Sequence, residues 1–550
     1  MIPPERLAPW TGHVGVEGGI PTRTTEIDCT EPPYAAHADG TDTADAIQAC
    51  LDGIATGAVA FLPAGTYTLE AGLELRAEKT LRGAGPGSTI LLFTADLDAD
   101  VRIHGEYTDG TDGGIAITAG LDAGSAELTL ADAASFTEGD HVYLSELNDP
   151  SIPVTVSNDN GACDWCGIYG SDGKRARLEL SQVTRVSGNR ISIDPPLLFE
   201  LSATNSPQAL RASKYVERAG LESLAVVNDG SSYQAGRKPI ELQGAANCWV
   251  KNVRVEKCGS RCIDLWFDVF RNEIRDSLIT GCFDQEDSDN CYGVQIDAGT
   301  GNLVENVIFD GSANGVILVS ASGNVLGYNY THGVHRTGDM ETWFWPDSWT
   351  HGAHSSMNLW EGNDQAALEW DYYWGSNSHD LAFRNRFRGM DATVDYDLPN
   401  LQTVGAILTY PNNNYMTAVG NVLGTAGFHD QYEEATYAVV AKPIWTTVAS
   451  AFGTDSDKNR TTLLRHLNYD TVTDGVKRCD DAGEPGCQGG DGSTTLPASY
   501  YLANEPSFFG SAAYPPIGPD VAGWSTTIPA ARCYEQTIAK GKAFDAADCY

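Results

Sequence analysis

No stretch of this sequence is apolar for long enough to cross a bilayer, which excludes a spanning helix. The opening residues, Met1-Ile-Pro-Pro-Glu-Arg6, carry no basic segment followed by an apolar run. A signal peptide is therefore not expected, and the chain reads as a mature or trimmed form. Basic residues are scarce, with 35 Lys and Arg against 74 Asp and Glu, a net charge of −39. That excess is spread along the chain and not gathered in a tail, so it reads as a solvating surface that repels nucleic acid and anionic membranes. Charged residues make up only 20% while glycines number 58, a balance that favours a β-rich fold with many turns over a helical one. A second Cys-x-x-Cys is missing as well. Cys163-Asp-Trp-Cys166 has no partner of its kind, which argues against structural zinc. The close pairs Cys163/Cys166, Cys258/Cys262, Cys282/Cys291, Cys479/Cys487 and Cys533/Cys549 are expected as local disulfides of a secreted protein, and an odd total of 13 leaves one thiol over.

At 550 residues the chain exceeds an ordinary domain, but a stacked repeat grows without that limit. Residues 1–38 read as irregular. Ile47, Cys50, Leu51 and Ile54 then follow the i, i+3, i+4, i+7 spacing of a short amphipathic helix, with Thr41 to Thr43 supplying its N-cap. Val59 to Leu69 alternates like a strand broken by Pro-Ala-Gly, and short strands continue through Leu73 and Thr80. The run Asp39-Gly-Thr-Asp42, Asp45-Ala-Ile-Gln48, Phe61-Leu-Pro-Ala-Gly-Thr-Tyr67 and Leu81-Arg-Gly-Ala-Gly85 resembles the N-terminal cap and first coils of the pectate-lyase superfamily. The resemblance implies an all-β fold, a right-handed parallel β-helix with an N-terminal capping helix, and carries no active-site motif with it. Cap and first coils are expected over 39–110, an inserted antiparallel β region over 111–210, and the main coils over 211–440. An active-site loop is expected at 330–357 and a loop-rich C-terminal cover at 441–550.

Asn252, Asp276, Asn306, Asn329, Asn385 and Asn421 recur before or inside apolar alternations. Their spacing is coil-sized, and a structural ladder of amides or left-handed turns explains them better than catalysis does. A second strand per coil aligns Ile240, Ile263, Val294 and Val316 inside the helix. Outside it, two columns hold Glu241, Asp264, Gln295 and Ile317, then Gln243, Trp266, Asp297, Val319 and Glu361.

Hydrolysis of a glycosidic bond needs two carboxyl groups, one protonated and one ionised. The outward acids Asp264, Asp297 and Glu361 are the candidates, with Glu241 on the neighbouring rung; Asp339, Glu341, Asp364, Glu369 and Asp371 are within reach of the loop. The stretch Asn329 to His354 concentrates two His-Gly-x-His pairs, His332/His335 and His351/His354, and three tryptophans. That spacing matches no zinc signature, so His335, His351 and His354, with Arg336, are read as acid–base or substrate-contacting groups. Trp343, Trp345, Trp349 and Trp360 are candidate sugar platforms, and Arg384 and Arg386 candidate substrate contacts. Between Lys257 and Lys442 there is no lysine, so elimination on a uronate would rely on arginine and on His or Tyr as base. No cofactor is expected, calcium held by the acid column being the one ion the pattern allows. The sequence therefore points to a secreted polysaccharide-cleaving enzyme, hydrolase ahead of lyase, monomeric or homotrimeric, with a non-catalytic glycan binder of tailspike type as the competing class.

Overall fold

Parallel strand pairing dominates the backbone of the computed structural model, which describes residues 2–108, 113–149, 175–229, 236–282, 291–335, 346–352, 354–394, 404–435, 441–448, 450–451, 454–455 and 458–550. One sheet of eleven strands runs from Leu73–Glu74 through Lys238–Gln243, Arg261–Leu265, Tyr292–Asp297, Asn314–Val319, Ser348–Thr350 and Leu368–Trp370 to Pro443–Thr447 and Gln431–Glu434, every neighbour parallel. A 22-stranded sheet supplies the remaining walls, and its parallel pairing continues to Leu464–His466 and Asn468–Asp470. The fold is thus a parallel β-helix. The expected inward residues Ile240, Leu242, Ile263, Leu265, Val294, Ile296, Val316 and Leu318 all lie in its core. Each such side chain contributes about 1.5–3 kcal/mol on burial.

The recurring asparagines divide into two neighbouring columns. Asn252, Asp276 and Asn306 adopt left-handed backbone at φ 53°, 50° and 56°. Asn329, Asn385 and Asn421 sit one position further along, where amides stack. Asn329 Nδ2 donates to Asn363 Oδ1 at 3.1 Å, and the chain continues through Asn385 and Asn421 to Asn468. A parallel ladder joins Asn272, Asn302, Asn324, Asn358 and Asp380. These side chains satisfy buried turn groups that no strand can reach.

Three appendages decorate the helix. The segment before residue 24 forms a strap across successive coils: Arg6 donates to Thr462 O, Trp10 Nε1 to Met357 O, and Gly15 N to Gly301 O, while Arg23 reaches Arg218 O. The α-helix Ala44–Gly53 buries Ile47, Cys50 and Leu51 in the core, and a disulfide ties Cys50 to Cys29. The inserted antiparallel region closes on itself as a six-stranded barrel, which the alternation alone did not reveal: Ile115–Ala119, Glu127–Leu130, Arg190–Asp194, Arg177–Ser187, His141–Glu146 and Gln208–Arg211 pair in a ring. Closure removes exposed strand edges.

The C-terminal segment packs Tyr501, Phe508 and Phe509 on the outer face of the long sheet. Among the described residues, disulfides join Cys258 to Cys262, Cys282 to Cys291, Cys479 to Cys487 and Cys533 to Cys549, and Cys248 is a buried free thiol. The expected Cys163/Cys166 pair lies outside the described residues. No helix among them is long and apolar enough to cross a membrane.

Candidate active site

The outer face of the eleven-stranded sheet carries a column in the register Glu241, Asp264, Gln295, Ile317, Trp349, Glu369. Beside it, two residues along each strand, Asp297 pairs with Val319. His351 and Asp371 continue this second column just past the strands Ser348–Thr350 and Leu368–Trp370. A cleft of about 290 Å³ opens here, lined by Arg261, Trp266, Tyr292, Gln295, Asp297, Ile317, Val319, His351 and Trp374.

A chain of hydrogen bonds crosses its floor. Arg261 Nε donates to Gln295 Oε1 at 2.9 Å, and Gln295 Nε2 donates to Asp297 at 2.6 Å. Asp264 is fully buried one rung away, 3.4 Å from Lys238 Nζ, and neither of its oxygens has a hydrogen-bond partner among the described residues. Burial raises the pKa of both aspartates. Arg261 and Lys238 oppose the rise at both; the nearby charge of Asp264 adds to it at Asp297, and that of Glu241 adds to it at Asp264. Glu241 behaves differently: although burial pushes it up, hydrogen bonds from His104 and Lys238 bring it down to about 2, so it is a permanent anion. His351 stacks on Trp349 at 3.8 Å, and its Nδ1 is held by Asp371. Next to that pair, Glu369 is buried and pushed well up by burial and by Asp371.

Glu241, Asp264 and Asp297 stand in the outward columns expected of them, and Trp349 and His351, expected on a loop above that face, lie in or beside the same columns. Several other expected members lie elsewhere. Glu361 belongs to the long sheet, where Leu359–Glu361 pairs with Val325–Gly327, and its carboxyl lies beneath the C-terminal segment, bonded by Tyr328 Oη and Tyr500 N. Ser348–Thr350 takes the place expected for its strand. The two strands alternate alike, and the distinguishing sign is Asn358 immediately before Leu359, a ladder residue of the long sheet. Trp360 points inward and is wholly buried in the core, unable to meet a sugar. Arg384 holds the C-terminal segment through Asp520, at 2.7 Å to both carboxylate oxygens, and Arg386 faces Asp364 on the long sheet. His335 contacts Thr393, and His354 is buried against Ser378 with its pKa driven well below normal by desolvation. Arg336, Trp343 and Trp345 lie outside the described residues.

Two cleft residues, Arg261 and Tyr292, escaped the sequence reading, as did Lys238 beside Glu241 and Asp264. Each stands three positions before an outward residue, Asp264, Gln295 and Glu241 respectively. Strict alternation hides them, because it places residues three apart on opposite faces. At these strand starts the alternation breaks. Cys262 and Ile263 both face the core, as do Gly293 and Val294, a Cβ on Gly293 falling 2.5 Å from the ring of Phe309. A polar or aromatic residue recurring three before the acid column was the available signal.

Compared by sequence, the chain matches no protein-family model and no curated protein. By structure it resembles the tailspike gp61 of Pseudomonas phage phi297, with a TM-score of 0.53 and 13% identity over 81% of this chain and 70% of that one. The tailspike gp49 of Pseudomonas phage LKA1 aligns with a TM-score of 0.48 and 11% identity over 75% of this chain and 67% of that one. The A-module of the mannuronan C-5 epimerase AlgE6 of Azotobacter vinelandii gives 0.34 and 11% over 78% and 97%. At these identities the likeness to gp61 is one of fold alone, the parallel β-helix, and it identifies no family.

Proposed function

We propose that the protein is a secreted enzyme that cleaves a polysaccharide by two-carboxylate hydrolysis in the cleft of the eleven-stranded sheet. The observation that carries this reading is Asp297 lining a cleft walled by Trp266, Tyr292 and Trp374, with Asp264 buried on the adjacent rung. Flat aromatic faces suit the C–H faces of sugar rings. The two acids have unequal neighbours. Arg261 and Lys238 favour the anion at both, but Lys238 Nζ stands 3.4 Å from Asp264, whereas at Asp297 the charge of Asp264 raises the pKa and the Gln295 amide only partly offsets it. Asp297 therefore keeps its proton longer and serves as general acid, and Asp264 ionises first and serves as base. One rung (about 4.8 Å) and two residues along the strand (about 6.6 Å) separate their attachment points by about 8 Å. The five disulfides among the described residues support an oxidising, extracellular setting.

A second reading is favoured by one observation, the presence in the same cleft of His351 oriented by Asp371 and of the Arg261 guanidinium. A base and a carboxylate-neutralising cation are what β-elimination on a uronic acid requires. Purified protein incubated with a polysaccharide panel, read for reducing ends and for absorbance of unsaturated uronates, separates the two. Reducing ends without absorbance support hydrolysis, both together support elimination, and neither across the panel supports a glycan binder without catalysis.

A further inference from the structure

The cleft platform Trp266 is followed at once by two residues in a conformation that side chains avoid, Phe267 at φ 41° and Asp268 at φ 55°. Left-handed backbone at two successive non-glycine residues persists only where surrounding structure holds it. The holding groups come from the barrel and the segment leading into it. Asp268 is buried, and its carboxylate accepts from Thr108 N at 2.5 Å and from Thr108 Oγ1 at 2.8 Å, while its own N–H donates to Tyr143 Oη at 3.1 Å. Phe267 packs against the apolar cluster of Tyr143, Leu178, Leu180 and Ala212 and meets the ring of Trp266 edge-on at 4.9 Å.

We propose that Asp268 is a positioning residue through which the inserted barrel sets the angle of Trp266, so that the barrel determines how the cleft grips a sugar without touching it. The inference rests on the reading of Trp266 as a stacking platform. Sequence from the barrel then tunes substrate fit through the Asp268 clamp.

The test compares Trp266→Ala with Asp268→Gly, a change that the left-handed backbone tolerates while the carboxylate clamp is lost. Both variants are expected to raise KM for the cleaved polysaccharide about tenfold, the size of one lost stacking contact, with kcat within twofold. The double variant adds nothing further, because both act through one ring. A raised KM for Trp266→Ala with an unchanged KM for Asp268→Gly overturns the inference while leaving the stacking reading intact. If Trp266→Ala leaves KM unchanged, the stacking reading fails, and a crystal structure of Asp268→Gly decides the mechanical claim: a displaced Trp266 ring upholds it, an unmoved one overturns it. Should Asp268→Gly fail to fold, Thr108→Val, which removes one of the two hydrogen bonds, is read in the same way.

Discussion

Replacing Glu361 by glutamine tests the placement of this residue and the energetics of the buried acids together. Glu361 is fully buried; Oε1 accepts from Tyr328 Oη at 3.1 Å and Oε2 from Tyr500 N at 2.9 Å. Burial raises its pKa from 4.5 to about 7, and hydrogen bonds from Ser499, Tyr500 and Tyr328 only partly offset that rise. In the unfolded chain the carboxyl loses its proton near 4.5, whereas the native state holds it until about 7. Its contribution is therefore fully present below about 4.5 and is lost as pH rises through about 7. A rise of this size corresponds to at most about 3 kcal/mol. Glutamine keeps the shape, accepts from Tyr500 N and donates to Tyr328 Oη, and does not titrate. The urea midpoint of Glu361→Gln should match the wild type at about pH 4 and exceed it at about pH 8, by an amount approaching that figure. Polysaccharide cleavage should be unchanged, since Glu361 lies on the long sheet, beneath the C-terminal segment, and the cleft lies on the eleven-stranded sheet. Equal destabilisation at both pH values would refute the argument about burial, and loss of cleavage with an intact fold would return Glu361 to the active site.

Asp297→Asn should lower kcat by about 10²–10⁴ with an unchanged melting temperature, as expected for loss of a general acid; cleavage retained at wild-type rate would move the acid elsewhere. His351→Gln separates the two chemistries, because hydrolysis by the aspartate pair should lose less than tenfold while elimination should lose nearly all turnover, read as initial rates of reducing ends and of unsaturated product. Asn385→Ala should cost about 2–4 kcal/mol in urea unfolding, because it strands Trp360 O and the amide of Asn363 within the core. A loss below about 1 kcal/mol would show that the ladder matters little.

The fold was legible where local chemistry repeats. Inward Ile and Val at every second position mark the coils, and asparagine marks their turns, so the stack of Ile240, Ile263, Val294 and Val316 could be aligned from sequence alone. What alternation cannot encode is which of three walls a strand joins. Leu359–Glu361 and Ser348–Thr350 read alike, and the choice between them is made by hydrogen bonds to strands far away in sequence, Val325–Gly327 in one case and Val316–Leu318 in the other. Asp264 and Asp297 were legible because they obey the alternation. Lys238, Arg261 and Tyr292 were not, because they sit where it fails. The closing of the barrel was hidden for a similar reason, since it depends on Gln208–Arg211 pairing with both His141–Glu146 and Ile115–Ala119.

The strap formed by the first residues alters what kind of solid this molecule is. A bare solenoid is a stack of neighbours, each coil answering only to the next, and it can fray from one end while the other stays intact. Here Arg6 grips Met416 O and Thr462 O, Trp10 grips Met357 O, Val16 binds Glu273, and Arg23 binds Thr80 and Arg218. Eighteen consecutive residues thus act as a tendon laid across the grain of the sheets, and a coil that loosens near Thr462 slackens the fastening of one near Thr80. Heat or denaturant should accordingly find one cooperative body where the repeat alone would offer a series of independent steps. A protease that cuts between Trp10 and Gly15 should convert the first behaviour into the second.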